Sequence, residues 1–208
     1  KLGVSEGIVN CSNNELNLPL TGSSGVLGNE HGQITWSCGL PSDEMKILYI
    51  DMDGVLVDFQ SGIDQISDSD REKFKPDFDD VPGIFSKMLP VDGAIESYKK
   101  LSEHFHVYIL STAPWKNSSA WSDKLKWVKK YLGEYAHKRL ILSHNKNLNK
   151  GDYLIDDRTA HGVDKFAGEH IHFPSEQFKT WDEVVEYLLA KSTKDSGGDH
   201  PQTPYRID

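Results

Sequence analysis

Two aspartates one residue apart, Asp51 and Asp53, close an apolar run in the stretch ILYIDMDGVLVDF, residues 47–59. Much later the chain reads LIDDR, which sets Asp156, Asp157 and Arg158 after a second apolar run. Bare carboxylates brought together repel one another, and charge taken out of water is costly unless compensated. A hard divalent cation compensates it. Mg2+ prefers oxygen ligands, keeps several waters and pairs one or two carboxylates with a substrate phosphate. Ca2+ would want more ligands, and no His/Cys cluster has zinc spacing. His170 and His172 share one face of a strand, but zinc there would need further ligands, and solvated strand-edge histidines are the simpler account. For Asp51-Met52-Asp53-Gly54 taken alone, a strand followed by a turn is the plain alternative. The later LIDDR makes the pair more than that.

The elements that must position these residues follow from the hydrophobic pattern. Short apolar runs predict strands at 46–51, 106–111, 139–143, 153–156 and 169–173, and longer periodic stretches predict helices at 93–103, 118–132 and 178–191. Strands alternating with crossover helices imply an α/β, Rossmann-like three-layer sandwich around a central parallel sheet. Residues 60–90 interrupt the alternation. They are polar, contain Pro76 and Pro82, and read as a small, partly helical cap inserted after the first strand. Ligands of such sheets bind beyond the carboxyl ends of the strands. There the first strand delivers Asp51 and Asp53, the second Ser111 and Thr112, and the strand at 153 delivers Asp156, Asp157 and Arg158.

Helix 118–132 adds a cation. On a helical wheel Trp121, Leu125, Trp127, Val128, Tyr131 and Leu132 form an apolar arc, and Lys124 falls inside it. A lysine there needs a partner, either the aspartate cluster or a bound phosphate, unless its long stem snorkels to water. Lys126, Lys129 and Lys130 fall on a solvated face.

Residues 1–44 are unlike the rest. They are rich in Ser, Asn and Gly without sustained periodicity, and Met45 then opens MKILYIDMDG, like a translation start. They read as an extension or loosely ordered segment ahead of one domain, 45–191, with 192–208 a polar, mobile tail. Cys11 and Cys38 both lie in the extension and read as incidental thiols; LPLTG at 18–22 resembles a sortase signal by coincidence. The 208 residues hold 32 Asp and Glu against 23 Lys and Arg, an acidity that argues against gripping duplex nucleic acid. No apolar run approaches the roughly 18 residues of a membrane span, and no signal peptide is evident. A soluble, cytoplasmic protein with no membrane partner is the expectation, and a homodimer remains a candidate assembly.

Together these positions resemble the haloacid dehalogenase (HAD) superfamily of phosphotransferases. Asp51 and Asp53 match its first motif, Ser111 the second-motif hydroxyl, Lys124 the third-motif lysine, and Asp156 with Asp157 the acidic fourth motif. Within the superfamily, DMDGVLVDF, STAP, DKLKWVKKYLG and LIDDR look most like the 5'(3')-deoxyribonucleotidases, over about residues 45–190. Vertebrate members typically show Thr-Ser-Pro where this chain has Ser111-Thr112-Ala113-Pro114, and their cap looks longer.

The resemblance implies phosphomonoester hydrolysis in two steps. Asp51 is the nucleophile and forms an aspartyl-phosphate, and Asp53 is the general acid, then the base. Mg2+ is held by the Asp51 carboxylate, the Asp53 carbonyl and Asp156, with Asp157 orienting its water. Ser111, Thr112, Lys124 and the backbone at Gly54 hold phosphate oxygens. The substrate is a nucleoside monophosphate, with Phe59 and Phe85 as candidate stacking residues, Trp115 as a pocket wall and Arg158 as a substrate contact. Cap-core packing is the alternative for Phe85, and a salt-bridged strand end for Arg158. The rival readings are a phosphatase of this fold acting on sugar phosphates or polynucleotide ends, a phosphorelay receiver domain, and a catalytically dead binding module. The Asp-x-Asp-Gly spacing and the cap-sized insertion count against a receiver.

Overall fold

In the computed structural model, which describes residues 45–195, the five apolar runs become strands, and two short ones beside them bring the total to seven. They are β1 (Ile47–Ile50), β2 (Val57–Asp58), β3 (Leu89–Pro90), β4 (His106–Ser111), β5 (Leu140–Leu142), β6 (Tyr153–Asp156) and β7 (Glu169–His172). The expectations for residues 1–44, including Cys11 and Cys38, and for residues 196–208 fall outside the described residues. Five strands form a parallel sheet in the order β5-β4-β1-β6-β7. Ile50 stands opposite Ile109 on one side and Ile155 on the other. A central strand covered on both faces has no polar side to offer, so its sequence is a continuous apolar run rather than an alternation.

The helices are α1 (Phe59–Ile63), α2 (Asp68–Phe74), α3 (Ile84–Lys87), α4 (Ala94–Ser102), α5 (Ser119–Tyr131) and α6 (Trp181–Asp195). Short β2 and β3 pair antiparallel, Val57 opposite Pro90. Between them lie α1, α2, a 3-10 turn at Phe78–Asp80 and α3, the small cap expected after the first strand. Trp127 on α5 ties the cap down by donating its indole N–H to the Met88 carbonyl at 2.9 Å.

One spacing recurs in the long helices. Ala94, Ser97, Tyr98 and Leu101 are buried on α4; Ala120, Asp123, Lys124, Trp127 and Val128 on α5; Trp181, Val184, Val185 and Leu188 on α6. These are the i, i+3, i+4, i+7 stripes of amphipathic helices. They pack into the larger core with Leu48, Ile50, Val107, Ile109 and Ile155 from one face of the sheet. The opposite face carries Tyr49, Leu110 and Leu154, and there Val163 and Phe166, at a 3-10 turn between β6 and β7, supply the cover. That layer is thinner than the crossover helices suggested by the strand pattern, because the β5–β6 and β6–β7 connections are too short for long helices.

Two sequence expectations are corrected. The wheel for α5 is rotated: Trp121 and Leu125 are exposed, and the buried stripe runs instead through Asp123 and Lys124. The last helix begins later than 178 and continues past 191 to Asp195. Thr180 starts it, since its N–H donates to Glu183 Oε2 at 3.1 Å while Glu183 N–H donates back to Thr180 Oγ1 at 3.4 Å, a reciprocal capping box. Lys191 holds its later turns to β7 through Glu169, 2.5 Å away. Among the described residues no helix is long and apolar enough to cross a membrane.

Trp181 fastens α6 to the loop beyond β1, donating its indole N–H to the Val55 carbonyl at 3.2 Å. Trp181→Ala is expected to cost about 3–5 kcal/mol of stability, measured by urea unfolding.

Candidate active site

The site begins where β1 stops. Asp51 N–H still donates to the Ile155 carbonyl at 2.9 Å, so the residue stays in register while its carboxylate stands at the carboxyl rim of the sheet. The chain then turns at once, with the Met52 carbonyl accepting the N–H groups of Leu56 and Val57, both at 2.9 Å. Gly54 makes the turn at φ +74°, a backbone conformation that disfavours side chains. A Cβ there would lie 2.7 Å from Asp157 Oδ2. Gly54 therefore gives room to the Asp157 carboxylate.

Asp51, Asp156 and Asp157 each bring a carboxylate oxygen to within 4.8 Å of the others. Between the first two lies a cation that the strand-end reading passed over. Lys146 is only 3% exposed, and its Nζ lies 2.9 Å from Asp51 Oδ1 and 2.5 Å from Asp156 Oδ2. Burial works against the Lys146 ammonium, but Asp51 and Asp156 outweigh it and raise its pKa. Burial, reinforced by the Asp51 charge, pushes Asp156 up to about 6 against the pull of Lys146. Burial also raises Asp157. Arg158 fixes this strand end through its own N–H, which donates to Asp156 Oδ1 at 3.0 Å, and its guanidinium reaches Asp157 Oδ2 at 3.5 Å.

The Asp53 carboxylate stands apart from that trio. Lys124 Nζ meets its Oδ2 at 2.6 Å and also donates to Ser111 Oγ at 3.0 Å. Burial, aided by Asp51, raises the Asp53 pKa even though Lys124 opposes it. Lys124 and Ser111 were expected to hold phosphate oxygens. Both are 0% exposed, and the contacts they make here brace Asp53. The Lys124 ammonium also lies over the Phe85 ring, 4.5 Å from its centre, where the face of the ring attracts a cation.

In front of the carboxylates opens a cleft of about 460 Å3. Asp51, Asp53, Lys146 and Asp156 line its inner end. The cap contributes Phe59, Phe85, Pro76, Phe78 and Asp79; the core contributes Thr112, Pro114, Trp115, His144, Arg158 and His161. Phe59 and Phe85 meet edge to face at 6.0 Å. Trp115, 86% exposed, stands edge-on to His144. Phe59, Phe85, Trp115 and Arg158 thus share one cavity with the aspartates, and Thr112 lines it while its hydroxyl donates to the Ser143 carbonyl at 3.1 Å.

A family described as 5' nucleotidase, deoxy (pyrimidine), cytosolic type C matches residues 63–185, more than half of the chain. A protein of Vibrio phage KVP40 named 5'(3')-deoxyribonucleotidase is 55% identical over 149 residues, covering 72% of this chain and 88% of that one. The chain belongs to this nucleotidase family. Two further relatives bear the same activity in their names. One, from Acanthamoeba polyphaga mimivirus, is 28% identical over 71% of this chain and 86% of its own. The other, from Bordetella bronchiseptica, is 31% identical over 54% of this chain and 74% of its own. The family match includes Ser111, Lys124, Lys146 and Asp156 and begins after Asp51 and Asp53.

Sequence reasoning missed Lys146, His144 and His161, and the cap residues Pro76, Phe78 and Asp79. Lys146 and His144 carried a usable signal: they follow β5, whose carboxyl end points to the same rim as those of β1, β4 and β6. For this nucleotidase-family chain we expect Lys146→Met to lower the thermal midpoint in EDTA by the equivalent of about 3–5 kcal/mol, because it strands two buried aspartates. Added Mg2+ is expected to restore part of that loss, measured by differential scanning calorimetry.

Proposed function

We propose that the chain is a Mg2+-dependent nucleotidase that removes the phosphate from deoxynucleoside monophosphates by way of an aspartyl-phosphate on Asp51. The observation that carries this reading is the junction of the Asp51, Asp156 and Asp157 cluster with Asp53 at the inner end of a cleft walled by aromatic side chains. The shared cleft suits a ligand with an anionic end and a flat, apolar end.

The donor set fits a hard cation. It is all carboxylate oxygen, and Asp157 Oδ1 is buried with no hydrogen bond. Asp51, Asp156 and Asp157, with the main-chain carbonyl of Asp53, would hold Mg2+. When bound, the ion shields the nucleophile from an anionic substrate and offsets charge on the transferring phosphoryl group.

The protein groups do the rest. An Asp51 carboxylate oxygen attacks phosphorus while the bond to the nucleoside oxygen breaks, and Asp53 gives its proton to that oxygen. A water then attacks the aspartyl-phosphate and passes a proton back to Asp53. The phosphorus–Asp51 bond breaks, inorganic phosphate leaves, and both aspartates return to their starting state. Lys146 offsets charge beside Asp51, and Thr112 and Arg158, which line the cleft, would meet the substrate. Lys124 acts through Asp53: by gripping Oδ2 it leaves Oδ1, which has no hydrogen-bond partner, to carry the proton. Phe59, Phe78 and Phe85 form an apolar wall for the base. A free nucleotide suits the net charge of −9 better than duplex nucleic acid.

Asp51→Asn is expected to abolish hydrolysis of p-nitrophenyl phosphate and of deoxynucleoside monophosphates without unfolding the chain; retained turnover in the steady state would overturn the nucleophile assignment. Chelation should silence the wild type, with Mg2+ restoring it. Lys124→Met separates support of Asp53 from phosphate binding. Its kcat/KM is expected to fall about 100-fold or more on nucleotides, whose leaving oxygen needs a proton, and much less on p-nitrophenyl phosphate, whose leaving group departs as an anion.

A further inference from the structure

Asn117 has no part in the chemistry above, yet it is 2% exposed and uses its whole side chain. Its Nδ2 donates to two cap carbonyls, Asp79 at 2.8 Å and Val81 at 2.9 Å. Its Oδ1 accepts from the hydroxyl of Ser119 at 2.9 Å and from the Ser119 N–H at 3.2 Å. The Ser119 hydroxyl oxygen accepts in turn from the N–H of Gly83, again in the cap, at 2.9 Å. The backbone of Asn117 is held just as closely. Its N–H donates to the Pro114 carbonyl at 3.2 Å, and its own carbonyl accepts from Ala120 in the first turn of α5 at 3.1 Å.

These bonds join the two walls of the cleft. Asp79, whose carbonyl Asn117 grips, follows Phe78, and both line the cap side; Pro114 and Trp115 line the core side. One amide therefore fixes the separation between the surfaces that would meet a substrate's leaving group. Nearby Lys116 and Asp80 lie 3.6 Å apart, but that exposed lysine adds little. The rest of the cap is fastened elsewhere, by the β2–β3 pairing and by Trp127 on Met88. Losing Asn117 would loosen the 76–83 edge without detaching the cap.

We propose that Asn117 is a positioning residue that sets the width of the cleft, so that affinity for the leaving group depends on it while affinity for the phosphate does not. The proposal rests on the nucleotidase reading and assigns the substrate range of that site to a residue outside its lining. An amide is suited to the task because two carbonyls need a donor and the Ser119 hydroxyl needs an acceptor at the same point. Aspartate keeps the shape but turns an acceptor toward both carbonyls, and alanine leaves them unpaired.

The test compares Asn117→Ala, Asn117→Asp and Ser119→Ala with the wild type in the full chain. KM and kcat are measured on the best substrate from a panel of deoxynucleoside monophosphates, and Ki for inorganic phosphate is measured in parallel. KM is expected to rise about tenfold in the Asn117 variants, the scale of one well-placed hydrogen bond, with phosphate Ki unchanged within about twofold. Ser119→Ala, which removes one link only, should show the same pattern more weakly and covers the case in which an Asn117 variant does not fold. A merely structural role would lower the active fraction, reducing kcat and leaving KM alone. The proposal is overturned if KM stays constant, or if KM and phosphate Ki rise together. If the wild type hydrolyses p-nitrophenyl phosphate but no nucleotide, the substrate reading itself fails. The same KM-to-Ki comparison on p-nitrophenyl phosphate, whose ring would meet the same cleft walls, then decides the role of Asn117.

Discussion

Crowded negative charge is the constraint around which this molecule is arranged. Asp51, Asp53, Asp156 and Asp157 come from two parallel strands and the turns that follow them, and burial makes ionisation costly for Asp53, Asp156 and Asp157. Two buried ammonium groups make it tolerable, and they divide the work. Lys146 stands between Asp51 and Asp156, and Lys124 stands behind Asp53. A buried ion pair adds little net stability compared with an apolar core, but loss of one partner is severe. The pairs therefore specify where each carboxylate points more than they stabilise the fold.

That division explains much of the surrounding architecture. For Lys124 to reach Asp53, α5 must turn a charged stripe inward, so Asp123 and Lys124 occupy positions that an apolar pattern would have given to Trp121 and Leu125. For Lys146 to reach Asp51, the segment after β5 must fold back over the rim as a 3-10 turn, held by the Lys146 N–H on the His161 carbonyl at 2.8 Å. The same lysine that steadies Asp53 lies against Phe85 of the cap. The reacting end and the aromatic end of the cleft thus share a support.

The sequence was legible wherever local pattern and burial agree. β4 and β6 lie at the residues that their apolar runs mark, and the hydroxyls at the end of one and the carboxylates at the end of the other follow from the geometry of a parallel sheet. The cap was legible as an interruption but not as a surface, because Pro76, Phe78 and Asp79 carry no periodicity to show which of them faces inward. Lys146, which only its place after β5 marks, was hard to single out for a different reason. It lies in the polar run SHNKNLNKGD, which resembles any solvated loop, and its partners are distant in the chain. Asn117 was equally silent, since a side chain that bonds only main chain and a neighbouring serine leaves no complementary residue type to search for.

The two-residue strands β2 and β3 place the entrance and exit of the cap side by side, at Val57 and Pro90. An insertion whose ends meet is a cassette. The intervening thirty or so residues can lengthen, shorten or be exchanged through that single doorway, while the spacing from Asp51 to the rest of the sheet is undisturbed. Such an arrangement lets a lineage explore new leaving groups by trading one module, with the phosphate chemistry carried along intact.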